Sequence, residues 1–148
     1  MVSALLQNTP LMCAMTAMIV AQVLKIIIVL LTEGRLALGR LLETGGMPSS
    51  HSAAATALGI SVGMIHGWDS PYFAITAVFG TIVMYDAAGI RRAAGIHAGL
   101  LNDLVRELSH LFDEGFQPRA LKTLLGHTYP QVFVGAILGL VTSLIFVS

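Results

Sequence analysis

The chain has 148 residues, of which 55% are hydrophobic and only 11% are charged, and its mean hydropathy is +0.81. An ordinary soluble domain carries about 25% charged residues, so this composition indicates a membrane protein. The net charge is zero, which gives a nucleic-acid partner no electrostatic support. The single cysteine, Cys13, cannot form an internal disulfide, and its apolar surroundings favour a small buried thiol.

Four apolar segments are candidates to cross a bilayer, for which about 20 apolar residues suffice. They are residues 11–31, 52–65, 71–85 and 130–147. The first follows Asn8-Thr9-Pro10, which is typical of a helix start, and Ser70 is a candidate cap for the third. The second segment is short and rich in alanine and glycine, as expected of tight helix packing in lipid.

A fifth segment, residues 96–112, has a different pattern. Its leucines and Ile96 recur on one helical face, and its charged residues lie elsewhere, which predicts an amphipathic helix at the membrane interface or packed on the bundle. The sequence therefore predicts one all-α domain over residues 1–148. This domain is an integral membrane helical bundle with about four transmembrane helices and one amphipathic interfacial helix.

The basic residues concentrate in two of the connecting regions. The first, residues 32–50, carries Arg35 and Arg40. The second, residues 86–127, carries five more basic residues: Arg91, Arg92, Arg106, Arg119 and Lys122. With four crossings both regions fall on the same side, which the positive-inside rule makes cytoplasmic. We expect the bacterial cytoplasmic membrane or a plastid membrane, with this side facing the cytoplasm or stroma.

The stretch Pro48-Ser49-Ser50-His51 has the pattern of a helix N-terminus. A serine at the cap accepts a hydrogen bond from the first turn, and the exposed N–H groups with the positive end of the helix dipole favour an anion. His51 would then lie beside that anion. The alternative interpretation is that the serines only cap the helix and His51 is a polar residue at the interface.

The same pattern recurs before the last apolar segment. His127 precedes Thr128, and Thr128 with Gln131 has the capping-box spacing. Both helices start at the same membrane face, so two histidines and a surplus of arginine converge there. Phosphoryl transfer through a covalent intermediate needs a nucleophile, an acid for the leaving oxygen, and fixed positive charge, and these residue types supply all three without a metal.

These residues resemble the type 2 phosphatidic acid phosphatase superfamily. Pro48-Ser49-Ser50-His51 resembles its second signature, and the segment from Gly126 to Gly135 resembles its third. The closest similarity is to the divergent branch related to acid phosphatases and vanadium haloperoxidases, through residues 46–51, 84–87, 91–92, 101–102 and 125–128. The resemblance extends over roughly residues 8–142.

The resemblance implies a role for each matching position. His127 would be the nucleophile that forms a phosphohistidine, and His51 would protonate the leaving alkoxide. Ser50, with neighbouring Ser49 and backbone N–H groups, would hold phosphate oxygens. Lys25, inside the first apolar segment, would correspond to the phosphate-binding lysine of the first signature; its alternative is a lysine that snorkels to the boundary.

The chain also departs from the superfamily pattern. Thr32 stands where an arginine is expected, so Arg35 is the nearest candidate, and Leu121 replaces the arginine of the third signature. Arg91 or Arg92 could supply that charge. Gln131 occupies the position of an acidic residue, so it can orient an imidazole through its oxygen but offers the imidazolium no negative charge.

Two further polar residues are candidates for supporting roles. Asp86 lies near the two consecutive arginines and would orient one of them; a salt bridge at the helix end is the alternative. Asn102, on the amphipathic helix, would support the site from outside or be solvated.

The sequence thus predicts an integral-membrane lipid phosphatase whose partner is a membrane phospholipid. Phosphatidylglycerophosphate is the favoured substrate, with phosphatidic acid and prenyl phosphates open, and no cofactor or metal is expected, although phosphate or vanadate would fit the site. The sequence is also compatible with a homo-oligomer. Gln131 supports the alternative of a catalytically weak phospholipid-binding or scaffolding protein. A small transporter or channel subunit is a third interpretation, which the clustering of polar groups at one face disfavours.

Overall fold

The structure is a computed structural model that describes residues 2–34, 46–108, 119–123 and 125–148. It contains six helices and, within these residues, no strand. The helices are α1 (Val2–Leu6), α2 (Thr9–Glu33), α3 (Ser50–His66), α4 (Pro71–Ala88), α5 (Ile90–Glu107) and α6 (Tyr129–Val147). The prediction of an all-α helical bundle is confirmed.

The predicted capping residues begin three of the long helices. Asn8 accepts a hydrogen bond from the Leu11 N–H, Ser49 from the Ser52 N–H, and Ser70 from the Phe73 N–H, at 3.1, 3.3 and 3.2 Å. Each bond satisfies a first-turn donor that the helix itself leaves without a partner. At the other end of α2, Gly34 adopts a left-handed conformation, with φ of 65°, which only glycine adopts without strain.

Three helical stretches are long and apolar enough to cross a membrane. They are Thr9–Glu33, Pro71–Glu107 and Tyr129–Val147. With 17 residues, α3 is about 25 Å long, which is less than the ~30 Å of a bilayer's hydrocarbon core. Length and composition therefore support three of the four predicted crossings, and α3 lies among them as the central helix, in contact with α2, α4 and α6.

The amphipathic helix was predicted over residues 96–112, and the structure places its start earlier. Helix α5 begins at Ile90, directly after Gly89, and ends at Glu107. The end of the predicted segment, residues 109–112, lies outside the described residues. Only Gly95 and Ala98 of α5 are buried, and the rest of its surface is partly or fully exposed, as expected of a helix at the periphery of the bundle.

Small residues set how closely the central helices approach. Cys13, Ala17 and Ala21 form a buried stripe on α2, and a Cβ atom added to Gly139 on α6 would meet the backbone of Ala53 on α3. In lipid the helices gain little from the hydrophobic effect, so close van der Waals packing of small residues carries much of their association. The predicted buried thiol of Cys13 is confirmed.

Replacing Gly139 by alanine should destabilise the bundle by about 1–3 kcal/mol, the range for overpacked sites, because the new methyl group meets backbone atoms that cannot yield. The matched control is Gly59→Ala on α3, where an added Cβ meets nothing within 4 Å. Thermal unfolding in detergent would measure both. An unchanged melting temperature for Gly139→Ala would contradict this packing.

Candidate active site

The first turns of α3 and α6 lie side by side. The Ser49 N–H donates a hydrogen bond to the Gln131 backbone oxygen at 3.1 Å, and thereby ties the residue that caps α3 to the start of α6. The consequence is that His51 and His127, 76 positions apart in the chain, have ring centroids only 6.4 Å apart with their planes at 58°. The structure thus brings together the two histidines that the sequence singled out.

His127 is also fixed to the corner between α4 and α5. Its backbone N–H donates to the Ala87 oxygen at 2.8 Å. The preceding residue, Gly126, has φ of 75°, and a Cβ atom there would lie 2.8 Å from the backbone carbon of Arg91. Both the conformation and the contact require glycine, so the chain can pass this close only with glycine at position 126.

The ring of His127 is held by its Nδ1 atom. This nitrogen lies 3.1 Å from the Gly46 backbone oxygen and 3.4 Å from the Gln131 Oε1 atom. Both partners are acceptors, so the hydrogen-bond pattern assigns the proton to Nδ1 and the lone pair to Nε2 in the neutral ring. Gln131 Oε1 also accepts from the Thr128 N–H at 3.0 Å, which is half of the predicted capping box.

The Nε2 atom of His127 is buried and has no hydrogen-bond partner among the described residues. The residue as a whole is 2% exposed. Buried polar atoms in folded proteins nearly always have a partner, and a bare one carries a desolvation penalty of about 1–3 kcal/mol. An electrophile or hydrogen-bond donor that reached Nε2 would remove this penalty.

Burial lowers the pKa of His127 below its ordinary value of 6.5, because the charged imidazolium loses its hydration. The positive charges of Lys25 and His51 lower this pKa further, whereas the hydrogen bonds to Gln131 and Gly46 raise it. The balance favours the neutral ring at pH 7. In this form Nε2 carries a lone pair and no proton.

Both histidines line a cavity of about 220 Å³ beside α4. Arg91 also lines it and donates from Nε to Asp86 Oδ2 at 2.6 Å. This ion pair uses only the Nε edge of the guanidinium and leaves its terminal nitrogens able to meet an anion. Ile82 and Val83, one turn before Asp86 and Ala87 on α4, give the cavity an apolar wall.

Lys25, on α2, is not among the residues that line the cavity. It is 2% exposed, and its side-chain carbons pack against Gly46, whose φ of 90° requires glycine. An added Cβ at Gly46 would lie 3.4 Å from the Lys25 Cδ atom. The lysine is therefore adjacent to the carbonyl that holds His127, and buried lysines in membrane helices are candidates for functional sites.

The remaining predicted residues differ in their placement. Ser49 is buried, and its hydroxyl caps α3 and accepts from the Ser52 hydroxyl at 2.9 Å; Ser50 is buried beside it. Arg92 is exposed and is not among the residues that line the cavity. Arg35 lies outside the described residues.

Asn102 is not at the cavity. Its side-chain amide donates to the Leu121 oxygen at 2.9 Å and accepts from the Leu121 N–H at 2.8 Å. These two bonds hold the segment before His127 on α5. They give the polar side chain of Asn102 a structural role that needs no contact with the site.

Sequence reasoning missed the backbone groups of the site. The carbonyls of Gly46 and Ala87 hold the ring and the main chain of His127, and a carbonyl has no signature in the sequence. The only available signal was the glycine next to the Pro48–His51 motif. Within the part of the chain that the structure describes, no three histidine, cysteine or acidic side chains converge on a point where they could hold a metal ion.

The fold and this arrangement define a helical integral membrane protein with two histidines facing each other at the starts of neighbouring helices. The chain belongs to the divergent PAP2 family, whose profile matches residues 6–142, and the resemblance predicted from the motifs is confirmed. It is also similar to the uncharacterized membrane protein YuiD of Bacillus subtilis (strain 168), with 42% identity over 150 residues that cover 95% of each chain. The comparison with solved structures gives no match.

Replacing Gln131 by glutamate should raise the pKa of His127, because the new carboxylate stabilises the imidazolium. In the unaltered protein the ring should titrate below pH 6.5. NMR of protein labelled in the imidazole nitrogens would follow both titrations, with His97, exposed on α5, as the internal reference. An unchanged pKa of His127 would mean that residue 131 does not act on the ring.

Proposed function

We propose that the protein is an integral-membrane lipid phosphatase that hydrolyses a phosphate monoester through a phosphohistidine. Phosphatidylglycerophosphate is the favoured substrate, ahead of phosphatidic acid and prenyl phosphates, because an intermediate of the cytoplasmic leaflet would meet a site on this face directly. The observation that carries the proposal is the buried Nε2 atom of His127, without a partner among the described residues and next to His51 at the cavity.

In the first step, the Nε2 lone pair of His127 attacks the phosphorus atom. The new N–P bond forms as the P–O bond to the lipid alkoxide breaks, and the protonated ring of His51 donates its proton to the leaving oxygen. In the second step, neutral His51 takes a proton from water, the water oxygen bonds to phosphorus, and the N–P bond breaks. Inorganic phosphate leaves and His127 is neutral again.

Positive charge around the phosphoryl oxygens would stabilise both transition states. Arg91 supplies it at the cavity, oriented by Asp86, and Lys25 supplies it from behind Gly46. The N–H groups at the start of α3, including that of Ser50, add the positive end of a helix dipole.

The proposed location follows from the membrane helices and the distribution of basic residues. The protein is an integral membrane protein. We place the cavity on the basic face, which would be the cytoplasmic side of a bacterial membrane or the stromal side of a plastid membrane. The apolar wall of Ile82 and Val83 would then face the inner leaflet, where the substrate's headgroup meets its tails.

Replacing His127 by alanine should reduce phosphate release from lipid phosphates by at least about a thousandfold, because it removes the nucleophile. Purified protein would be assayed on phosphatidylglycerophosphate, phosphatidic acid and a prenyl phosphate, with His97→Ala as the matched control. Mass spectrometry of rapidly quenched protein should find a phosphoryl group on His127. Equal rates for the alanine variant and the unaltered protein would refute the assignment.

Arg91 and Arg92 provide a matched pair of substitutions. Arg91→Ala should lower kcat/KM by about 10²-fold, since it removes a charge at the cavity, and Arg92→Ala should lower it far less, since its side chain is exposed and outside the cavity. Steady-state kinetics of the two variants would test this order. A larger loss for Arg92→Ala would place the phosphate elsewhere.

The identity of residue 131 supports a second candidate function. With Gln131 in place of an acidic residue, the protein would be a catalytically weak one that binds or scaffolds phospholipids. The neutral oxygen of Gln131 orients His127 but gives the imidazolium no negative partner. The two functions separate in the same assay: an unaltered protein that binds lipid phosphates and releases no phosphate from any of them would be a binding protein.

A further inference from the structure

A separate cavity lies at the C-terminal end of α5. Arg106 and Arg119 line it, and its volume is about 370 Å³, within the ~300–1,000 Å³ typical of small-molecule sites. Arg106 lies about 22 Å along α5 from Arg91, at ~1.5 Å per residue. This cavity, which we call the arginine cavity, is therefore distinct from the candidate active site, and the proposed phosphatase chemistry makes no use of it.

The segment that precedes α6 brings Arg119 to this place. It runs along α5 in the opposite direction: Gly126 packs on the backbone of Arg92, near the start of the helix, and Leu121 meets Asn102, about three turns further on. The Asn102 side chain holds Leu121 with two hydrogen bonds, at 2.9 and 2.8 Å. This register places Arg119, two residues before Leu121, beside the last turns of α5.

The described residues that line the arginine cavity carry positive charge and no negative charge. Arg106 also meets Asp103, which is not a lining residue, and donates from Nη2 to its Oδ1 atom at 2.8 Å. The side chains of this pair are 79% and 60% exposed, and ion pairs so exposed are weak. Arg119 forms no ion pair with any described residue. Both arginines can therefore offer guanidinium N–H groups to an anion, in the fork geometry that matches phosphate oxygens.

The rest of the cavity wall is largely apolar. Leu101, Val105 and Leu121 line it together with the arginines. On the same helix the side chains of Leu100 and Leu104 are exposed, so α5 carries an apolar surface next to the cavity, as expected of a helix that lies at a membrane surface. A free inorganic anion would gain nothing from these apolar walls. A phospholipid would place its phosphate at the arginines and the start of its tails against the leucines.

We propose that the arginine cavity binds the headgroup of an anionic phospholipid of the surrounding membrane. Arg106 and Arg119 would hold the phosphate of this lipid, while the start of its tails would contact the apolar walls. Because Arg119 belongs to the segment that precedes α6, the bound lipid would also hold this segment at the membrane surface. The proposal rests on the geometry of α5 and this segment, and it is independent of the proposed phosphatase.

The test measures the binding of two lipids with the same tails to purified protein in one non-ionic detergent. The probes are dioctanoyl phosphatidylglycerol, which is anionic, and dioctanoyl phosphatidylcholine, which has no net charge. The cavity variants are Arg106→Gln and Arg119→Gln, both at exposed positions where the fold tolerates a change. The matched control is Arg92→Gln, an exposed position of α5 that lines neither the arginine cavity nor the candidate active site. A further variant, Arg91→Gln, detects binding at the candidate active site.

The unaltered protein should bind phosphatidylglycerol more tightly than phosphatidylcholine, because the choline cation would lie close to the arginines. Each cavity variant should raise the Kd of phosphatidylglycerol about fivefold, the change that follows from losing one arginine at an anionic lipid surface, and that of phosphatidylcholine less than about twofold. Comparing each variant with the unaltered protein on the same lipid cancels differences in micelle partitioning. Arg92→Gln should change neither Kd.

No loss in either cavity variant, or an equal loss in Arg92→Gln, would overturn the proposal, since the attraction would then be absent or not specific to this cavity. A loss in Arg91→Gln alone would place the anion at the candidate active site and would overturn it as well. Inorganic phosphate that bound the cavity as tightly as phosphatidylglycerol would refute the assignment to a lipid. None of these measurements involves phosphate release, so their outcome is distinct from that of the proposed function.

Discussion

The close backbone contact between α3 and α6 brings the two histidines together. Added Cβ atoms at Gly135 and Gly139 would meet the backbone oxygens of Ser49 and Ala53, so the main chains of the two helices touch at these positions. The Ser143 hydroxyl extends this contact by donating to the Ala57 oxygen at 3.0 Å. Because both helices begin at the same level, their two histidines are brought within contact of one small cavity.

The charge arrangement follows from this burial. A histidine 2% exposed and near a buried lysine is more stable neutral than charged, so the packing that buries His127 also keeps its Nε2 atom unprotonated. Positive charge is instead carried by Arg91, which Asp86 holds at the cavity's edge. Burial thus keeps the His127 ring neutral, whereas Arg91 carries its charge at the edge of the same cavity.

The capping residues, the helices and the histidine pair were within reach of sequence reasoning because each has a local signature. Three helix starts are marked in the sequence by capping residues, Asn8, Ser49 and Ser70. The order of the apolar segments predicts that the two histidine motifs lie on the same face of the membrane. What the sequence could not give depends on distant contacts. The sequence does not distinguish Arg91 from Arg92, and only the folded structure shows that Arg91 lines the cavity and Arg92 does not.

The same limit applies to Asn102 and to the crossing count. Asn102 looks like a site residue until its partner, the backbone of Leu121, is known. The apolar run of α3 has the composition of a crossing helix, but at 17 residues this helix is shorter than the three stretches that are long and apolar enough to cross a membrane.

Because Gln131 has two roles, a change at the His127 ring would leave the start of α6 in place. The Gln131 Oε1 atom accepts from the Thr128 N–H and lies 3.4 Å from Nδ1 of His127, and Nδ1 keeps its proton whether Nε2 is bare, protonated or bonded to phosphorus. The start of α6 would therefore keep one geometry through every covalent state of the ring. In the proposed mechanism, the group bonded to the His127 imidazole would therefore change while the first turn of α6 and the membrane helix behind it stay in place.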